Sequence, residues 1–418
     1  MSTRILNILA LIPAFGQFGS ASVLPSHAPG LLVGPSIVQI KPALQNVFPA
    51  ENFNRNVTTS WWDTDVVDGP PSSSASKFLA SLKQANFIAL DDRFYELLGV
   101  KDYTSRKDIE VIFDFPEGPS FAKRLVHDGT VYSPECNCIF YAELHPPKQG
   151  YSADAMPWVW RTDLNHTPPF TEKVYPSPPL TMANGAYYHN GSVYWAQEGN
   201  WTMPGGIVRM DPLSLKTEVV LNNFFGHRFN SPNDIVIKRD GVAFFTDGYY
   251  GYDNFNDTLE PELANGVWRW DMHTGSLRMV LGAGGGPFTN PNGVALNLDE
   301  DELFITNRGN TSDNPAGGRT IYQYHISSTD TGLSDDHVFA YVDAGFPDGI
   351  KTDSEGRVYG AVTGGVHVFG ADGTFLGIIK VATGDVAVNM EWVEDTLYIV
   401  GREHLYRVQL NTTGSQLY

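Results

Sequence analysis

Cysteine is almost absent from this chain, and basic residues are scarce. The 418 residues include only Cys136 and Cys138, and 28 Lys and Arg stand against 47 Asp and Glu, a formal net charge of −19. Two cysteines without matching histidines form neither a disulfide framework nor a good zinc site. Their spacing points both side chains to one face of a strand, where two buried or turn thiols are the favoured interpretation and a strained bridge is the alternative. Because nucleic-acid binders need a basic surface, we expect no nucleic-acid partner.

Long apolar runs are absent beyond the N-terminus. Arg4 precedes an apolar run over residues 5–18, and small residues follow at 19–22. This layout is typical of a signal peptide, predicted over 1–21, and the run is too short to span a bilayer. We therefore expect a protein that is secreted or lies in the secretory-pathway lumen, with no membrane partner. The seven predicted glycosylation sites are Asn56, Asn165, Asn190, Asn200, Asn256, Asn310 and Asn411.

Familiar catalytic motifs are also missing. The sequence has no Gly-x-Ser-x-Gly elbow, no His-Glu-x-x-His and no phosphate-binding loop. The glycine-rich stretch 282–286 lacks a lysine and a following helix, so it is interpreted as an ordinary loop. Serine-nucleophile, zinc-protease and nucleotide-binding functions therefore lack support.

Two kinds of sequence divide the chain. From 22 to about 75 it is rich in Pro, Ser, Asn and Gly, which predicts an extended or poorly ordered arm. Residues 77–84 and 93–98 have helical character, so 22–108 is predicted to be an N-terminal arm with a short helix. From 109 to 418, short β-branched and aromatic runs alternate with Gly, Asp and Asn turns, which predicts an all-β domain.

An Asn or Asp that begins an apolar strand recurs six times, each time followed by a second strand. The separations are 56, 49, 59, 56 and 41 residues, about the length of a four-stranded propeller blade. The repeat predicts a six-bladed β-propeller, and a closed propeller hides its sheet edges, so we expect a monomer. The repeated positions are Asp128, Asn184, Asn233, Asn292, Asp348 and Asn389.

In a propeller these six side chains would converge on the central tunnel. Singly, each Asx is a common turn residue, but repetition at one blade position favours a ring of ligands. Oxygen ligands with two carboxylates suit a hard divalent cation, and calcium tolerates irregular geometry best. A cation in a water-accessible tunnel polarises a carbonyl or acidifies water, which favours hydrolysis of a small-molecule ester or lactone.

Other residues are candidates for contact with the substrate. Asn184 and Asn389 lie in the predicted ring, and Arg228 lies five residues before Asn233, although an exposed loop arginine is the commoner case. Aromatic residues offer an apolar wall, but packing between blades is the favoured interpretation for Trp158, Trp160, Trp195, Trp201 and the run 249–252.

Four segments resemble the regucalcin/gluconolactonase family, with its secreted fungal branch most similar. They are residues 229–237, 245–251, 290–296 and 346–359, and the resemblance extends from 87 to the C-terminus. It implies a lactonase whose divalent cation is held by a Glu of the first blade, by an Asn from each of two later blades and by an Asp in Pro-Asp-Gly. Carried over, these are Asn233, Asn292 and Asp348, with Asp348 also the proton acceptor.

The first-blade ligand departs from the family pattern. Glu117 opens a Glu-Gly-Pro string, but it lies 22 residues before Ile139, about twice the family's spacing. Asp128 lies 11 residues before Ile139 and is in register, so it is the predicted fourth ligand. An Asp is one methylene shorter than the usual Glu, which keeps the charge and changes the reach.

Three functions are compatible with these features. The first is a metal-dependent lactonase, supported by Asn233, Asn292 and Asp348. The second is a secondary-metabolite cyclase or hetero-Diels–Alderase on the same propeller, favoured by Asp128 in place of Glu and by the aromatic loops. The third is a binding protein without catalysis, because a fold does not fix a reaction.

Overall fold

Strands dominate the structure, a computed structural model. It describes residues 31–45, 59–60, 74–116, 126–143, 159–256, 258–282, 290–308, 317–327 and 332–416. Within them the fold is an all-β, propeller-like arrangement of sheets with few helices, as the sequence predicts. No helix in this part of the chain is long and apolar enough to cross a membrane.

The N-terminal part contains short strands and three helices. In chain order the elements are β1 (Leu31–Val33), β2 (Ile37–Ile40), α1 (Pro42–Gln45), α2 (Ser74–Gln84), β3 (Phe87–Ala89), α3 (Arg93–Leu98) and β4 (Glu110–Asp114). The predicted helical segments 77–84 and 93–98 are α2 and α3. Gly99 ends α3 in the left-handed conformation (φ 66°), where glycine has no Cβ penalty.

The rest of the described chain is made of strands and one π-helical turn, Tyr250–Phe255. The strands are β5 (Val126–Ser133), β6 (Cys138–Glu143), β7 (Val159–Asp163), β8 (Phe170–Val174), β9 (Ala183–His189), β10 (Ser192–Gln197), β11 (Gly206–Met210), β12 (Thr217–Leu221), β13 (Asn223–Phe224), β14 (His227–Arg228), β15 (Pro232–Ile237), β16 (Val242–Asp247), β17 (Gly266–Asp271), β18 (Leu277–Gly282), β19 (Pro291–Leu296), β20 (Glu302–Asn307), β21 (Thr320–Ile326), β22 (Leu333–Tyr341), β23 (Ile350–Thr352), β24 (Val358–Val362), β25 (Gly365–Phe369), β26 (Phe375–Lys380), β27 (Ala387–Val393), β28 (Thr396–Gly401) and β29 (His404–Gln409).

The sheets differ from six equal four-stranded blades. Five have four strands, namely β5–β8, β9–β12, β15–β18, β19–β22 and β27–β29 with β4. The other large sheet has seven strands in the order β1-β2-β3-β26-β25-β24-β23, and β13 and β14 form a small hairpin. The structure therefore shows five regular four-stranded blades.

Residues 31–40, predicted to lie in an arm without regular structure, extend the seven-stranded sheet. β3 pairs antiparallel with β26, and β2 pairs parallel with β3. Val38 and Ile40 are fully buried with Leu82 of α2 and with Ile378, so apolar burial holds these strands in place. Three- and four-residue strands are too short to show an alternating pattern in the sequence.

The inner strands meet one another in succession around the centre. β5 contacts β9, β9 contacts β15, β15 contacts β19, β19 contacts β23, β23 contacts β27, and β27 contacts β5. β4 pairs with β29, so a strand from the N-terminal side completes the last sheet. The first residues of these inner strands therefore lie around one axis.

The preference for free thiols at Cys136 and Cys138 was wrong, since the structure joins them in a disulfide. Asn137 between them has a positive φ of 49°, and the turn brings the two Cα atoms to 5.2 Å. That separation is within the range that a disulfide spans. The sequence pattern does not show this turn, and for that reason the disulfide was not predicted.

Candidate active site and metal centre

All six repeated Asx residues lie at the centre and are buried, between 0 and 6 % exposed. Each repeat touches the next through the residue that follows the Asx. Gly129 packs against the carbonyl of Asn184, Gly185 against that of Asn233, and Gly293 against that of Asp348. The set closes where the Asn389 amide donates a hydrogen bond to Asp128.

The Asx-Gly pairing is explained by this close approach. A Cβ on Gly185 would lie 2.7 Å from the Asn233 carbonyl oxygen, and one on Gly293 would lie 2.5 Å from that of Asp348. Both distances are below normal van der Waals contact, so only glycine allows neighbouring inner strands to approach this closely. The repeated glycine is thus a packing requirement of the ring.

Pairing irregularities turn the Asx side chains inward. The β-sheet register shifts at the repeated position in β5, β9, β15, β19 and β27. A bulge leaves one residue unpaired and re-aims its side chain. Asp348 lies just before β23, where its N–H donates to the Ala361 carbonyl over 2.8 Å and its own carbonyl accepts from Thr306 Oγ1 over 2.9 Å.

Several oxygens of the ring have no donor. Within the described residues, the buried Oδ1 atoms of Asn184, Asn233, Asn292 and Asp348 accept no hydrogen bond. A buried acceptor without a partner is costly, and four of them at one centre are a set that a hard cation satisfies. The described residues hold no group of three or more His, Cys, Asp or Glu placed to bind a metal, so amide oxygens provide much of the donor set.

The remaining ring contacts fix the orientation of Asp128 and Asn184. Asp128 Oδ1 also accepts from the Gly129 N–H over 2.8 Å, while Asn389 Oδ1 accepts from the Met390 N–H over 2.7 Å. Asn184 Nδ2 donates to Glu198 Oε1 over 2.7 Å. Asn184 and Asn389, predicted to bind substrate, are thus each hydrogen-bonded to a carboxylate. Glu198, fully buried, was missed because it belongs to no repeat.

The carboxyl groups of the ring are hard to ionise. Burial raises the pKa of Asp348, an effect that the charges of Arg308 and Arg402 partly oppose. Burial raises the pKa of Asp128 well above its usual value, and the charges of Asp234 and Asp348 raise it further. Burial also raises the pKa of Asp234 to about 6. A cation at the centre would favour the ionised form of these carboxyl groups and so lower their pKa.

Tyr250 holds the amide of Asn292 in one orientation. Its buried hydroxyl accepts from Asn292 Nδ2 over 3.1 Å and donates to the Asn290 carbonyl over 3.2 Å. With the Nδ2 end engaged, the Oδ1 end of Asn292 remains as the acceptor without a donor. Tyr250 begins the π-helical turn, a feature that is frequent at functional sites. The run of aromatic residues at 249–252 hid this role, because packing explains such a run equally well.

The structure shows where Arg228 and the tryptophans considered as an aromatic wall lie. Arg228 Nη2 donates to the carbonyls of Asn200 and Met203 over 2.9 and 3.1 Å, which ties β14 to a neighbouring loop. Trp160 and Trp195 are buried, as the packing interpretation holds, whereas Trp201 is exposed. Trp158 lies outside the described residues.

Outside the ring, two further sets of positions can be placed. Asn56 and Asn310 lie outside the described residues, and the other five glycosylation sites remain predictions. Of these, Asn165, Asn190, Asn256 and Asn411 are exposed, while Asn200 is half-buried.

A cavity of about 200 Å³ lies toward the far ends of the inner strands. It is lined by Ile237, Leu296 and Thr352, so it is distinct from the ring.

The fold and the ring define a class of protein: a propeller-like β-protein with a centre of buried amide and carboxylate oxygens. Residues 171–401 match the SMP-30/gluconolactonase/LRE-like region. The chain belongs to this family, as its sequence motifs indicate.

Relatives of known name are similar over much of their length. Lactonohydrolase oryL of Aspergillus oryzae is 28% identical over 313 residues, 69% of this chain and 69% of the relative. Gluconolactonase of Zymomonas mobilis is 32% identical over 235 residues, 54% of this chain and 62% of the relative. Lactonohydrolase oryH of Aspergillus oryzae is 25% identical over 444 residues, 88% of this chain and 89% of the relative.

Solved structures share the fold. A gluconolactonase from Xanthomonas campestris superposes with a TM-score of 0.61 at 21% identity, covering 78% of this chain and 95% of its own. Regucalcin from Agrobacterium tumefaciens, described as a calcium-binding protein, gives a TM-score of 0.52 at 12% identity, covering 75% and 96%. At these identities the likeness establishes the fold alone.

Proposed function

We propose that this chain is a lactone-hydrolysing enzyme that opens a small-molecule cyclic ester at the ring. Its relatives are named lactonohydrolase and gluconolactonase, and the chain belongs to their family. The observation that carries the proposal is the set of buried oxygens of Asn233, Asn292 and Asp348 that accept no hydrogen bond from the described residues. Such a centre suits a cation next to a carboxyl group that can take a proton.

Asn233, Asn292, Asp348 and Asp128 fit a divalent cation, and we propose Ca²⁺. Their donors are all oxygens, two of them carboxylates, which is the chemistry that calcium prefers. When bound, the cation would polarise the lactone carbonyl and acidify a water molecule. Asn389 and the Gly129 N–H orient Asp128, whose shorter side chain replaces the Glu usual in the family.

Asp348 is the proposed proton acceptor. Its backbone is fixed on both sides by Ala361 and Thr306, so the carboxyl group is held at the centre, and its Oδ1 lacks a donor within the described residues. In the reaction, water bonds to the acyl carbon as Asp348 takes its proton, and the ring C–O bond then breaks. The proton passes to the leaving alkoxide, and the product is a hydroxy acid.

The finer statements on architecture and location are proposals too. We propose that β23–β26 is a sixth blade, lengthened by β1–β3, since β23 contacts both β19 and β27 as an inner strand would. We also propose a propeller domain over 109–418 that is secreted, glycosylated and monomeric. The leader over 1–21 and the seven sequons support the first two properties.

Lactone hydrolysis by the purified protein tests the proposal. Aldono-lactones and aromatic lactones are assayed with calcium, with a chelator and with Asp348→Asn. We expect turnover that requires the cation and a kcat at least about a hundredfold lower in the variant. Asp299→Asn, an exposed aspartate, is the matched control and should keep full activity.

Full activity in the chelator, or in Asp348→Asn, would show that the ring does not carry the chemistry. Calcium binding without turnover of any lactone would instead identify a binding protein. No described contact specifically favours a cyclisation reaction.

A further inference from the structure

Arg308 lies beside the ring and packs against aromatic side chains. It follows β20, and its N–H donates to the Asn290 carbonyl over 3.1 Å. Its guanidinium carbon is 4.3 Å from the centre of the Phe346 ring and 5.4 Å from that of Tyr250. Within the described part of the chain, no Asp or Glu lies within ion-pair distance of this half-buried guanidinium. The described contacts of this guanidinium are thus with aromatic rings rather than with a carboxylate.

Both aromatic neighbours of Arg308 belong to the active site. Tyr250 hydrogen-bonds Asn292 through its hydroxyl, and Phe346 comes two residues before Asp348. A guanidinium packed on aromatic faces keeps its N–H groups in one plane and gives up little freedom when it binds. The structure thus presents a pre-oriented cation next to the two ring residues at which the proposed reaction takes place.

Because the centre is lined by acidic side chains, the positive charge of Arg308 would favour substrates that carry a negative charge. Buried acidic side chains lie around the centre: Asp128 accepts from Asn389, Glu198 accepts from Asn184, and Asp234 accepts from the Val294 N–H. The cation proposed at the ring would engage the lactone carbonyl, so a separate carboxylate on the substrate would need a second positive group to offset these acidic neighbours. Arginine binds carboxylates with two parallel, charge-assisted hydrogen bonds, which are stronger than its hydrogen bonds to neutral lactone oxygens.

We propose that Arg308 binds a carboxylate on the substrate, so that this enzyme prefers lactones that carry an acidic group. The inference rests on the proposed lactonase function and names its substrate class. Arg308 acts here as a specificity-determining residue, while Asp348 remains the proton acceptor.

The test compares a γ-butyrolactone carboxylate with its methyl ester. For the wild type we expect a kcat/KM about ten- to a hundredfold higher for the acid, the usual effect of a charge-assisted hydrogen bond. Arg308→Gln should lose this preference through a higher KM for the acid. Any rate lost because the Arg308 charge no longer lies near Asp348 should be the same for the acid and the ester. Arg308→Lys, which retains the charge without the fork, should keep part of the preference.

Arg319→Gln is the matched control. Arg319 also lies over an aromatic ring, 4.7 Å from the centre of Tyr341, but at the outer strand of the same sheet. It should leave the preference for the acid unchanged. Equal loss on acid and ester in Arg308→Gln, or no preference in the wild type, would overturn the inference.

A binding measurement separates this inference from the lactonase proposal. Calorimetry with the ring-opened dicarboxylate should show binding to the wild type, at least tenfold weaker binding to Arg308→Gln, and unchanged binding to Arg319→Gln. If no lactone is hydrolysed but this pattern holds, the lactonase proposal fails and the anion site stands. If lactones are hydrolysed but the pattern is missing, the anion site fails alone.

Discussion

At the scale of single residues, the site depends on which end of each amide faces the centre. Asn292 shows this most clearly, because its Nδ2 is held by the Tyr250 hydroxyl while its Oδ1 has no donor within the described residues. A free amide could turn either end inward, and only the oxygen end can bind a cation. The groups behind the ring therefore determine whether the ring can hold metal.

Tyr250→Phe tests this dependence. The change removes only the hydroxyl that holds Asn292 Nδ2, so we expect calcium affinity to fall about tenfold, as loss of an outer partner usually causes. Calorimetric titration with calcium measures it. Tyr141→Phe is the control, because Tyr141 is equally buried and its hydroxyl bonds Thr162 away from the ring. Equal affinity in the two variants would contradict the role given to Tyr250.

How far the sequence predicts the site also becomes clear at this scale. The six ring positions were predictable because a repeat puts equivalent residues at equivalent places. Tyr250, Glu198 and Arg308 were not, because each lies outside the repeated motif and contacts a residue of another strand or loop. Arg228 was singled out for its nearness in sequence to Asn233, whereas Arg308 is near Asp348 only in the folded chain.

At the scale of elements, the bulged starts of the inner strands and the glycines next to them together position the ring residues. The pairing is irregular at the Asx, and in four of the six repeats the next residue is a glycine that leaves room for the neighbouring repeat. The sequence places the Asn-Gly and Asp-Gly pairs at the starts of strands, and three of the four pairs lie within β5, β9 and β19, while Asp348-Gly349 lies just before β23. Their spacing predicted the sheets, but the contact between sheets was invisible without the structure.

Gly293→Ala tests the packing requirement. The added Cβ would lie 2.5 Å from the Asp348 carbonyl oxygen, so we expect a loss of about 1–3 kcal/mol in the free energy of unfolding and a large drop in lactonase activity. Urea denaturation and kcat measure the two effects. Gly332→Ala is the control, since a Cβ there meets no atom of the described residues within 4 Å. Unchanged activity in Gly293→Ala would show that the ring tolerates separation of β19 from Asp348.

At the scale of the whole molecule, the two ends of the propeller domain are joined. β4 pairs with β29, and Phe115 just after β4 packs edge-on against Tyr141 and Trp160 of the β5–β8 sheet. The sequence predicted strands from residue 109 onward, and β4 begins at Glu110, but β1, β2 and β3 precede it in the chain. Nothing in the sequence indicated that β4 joins the last sheet. Pairings across nearly the whole chain leave no local pattern to detect.

Phe115→Ala tests this closure. Phe115 is buried, and we expect its truncation to cost about 3–5 kcal/mol and to raise hydrogen exchange in β5 and β27 together. Phe170→Ala removes a half-exposed ring from the same β5–β8 sheet and should cost about 0.5 kcal/mol or less. Faster exchange in β5 alone would show that the two ends are not coupled.

The hydrogen bond from Asn389 to Asp128 joins residues 261 positions apart. During synthesis the chain emerges from its N-terminus, so Asp128 has no Asn389 partner until residue 389 has been made. A product that stops before residue 389 therefore lacks this closing hydrogen bond and one of the six ring residues.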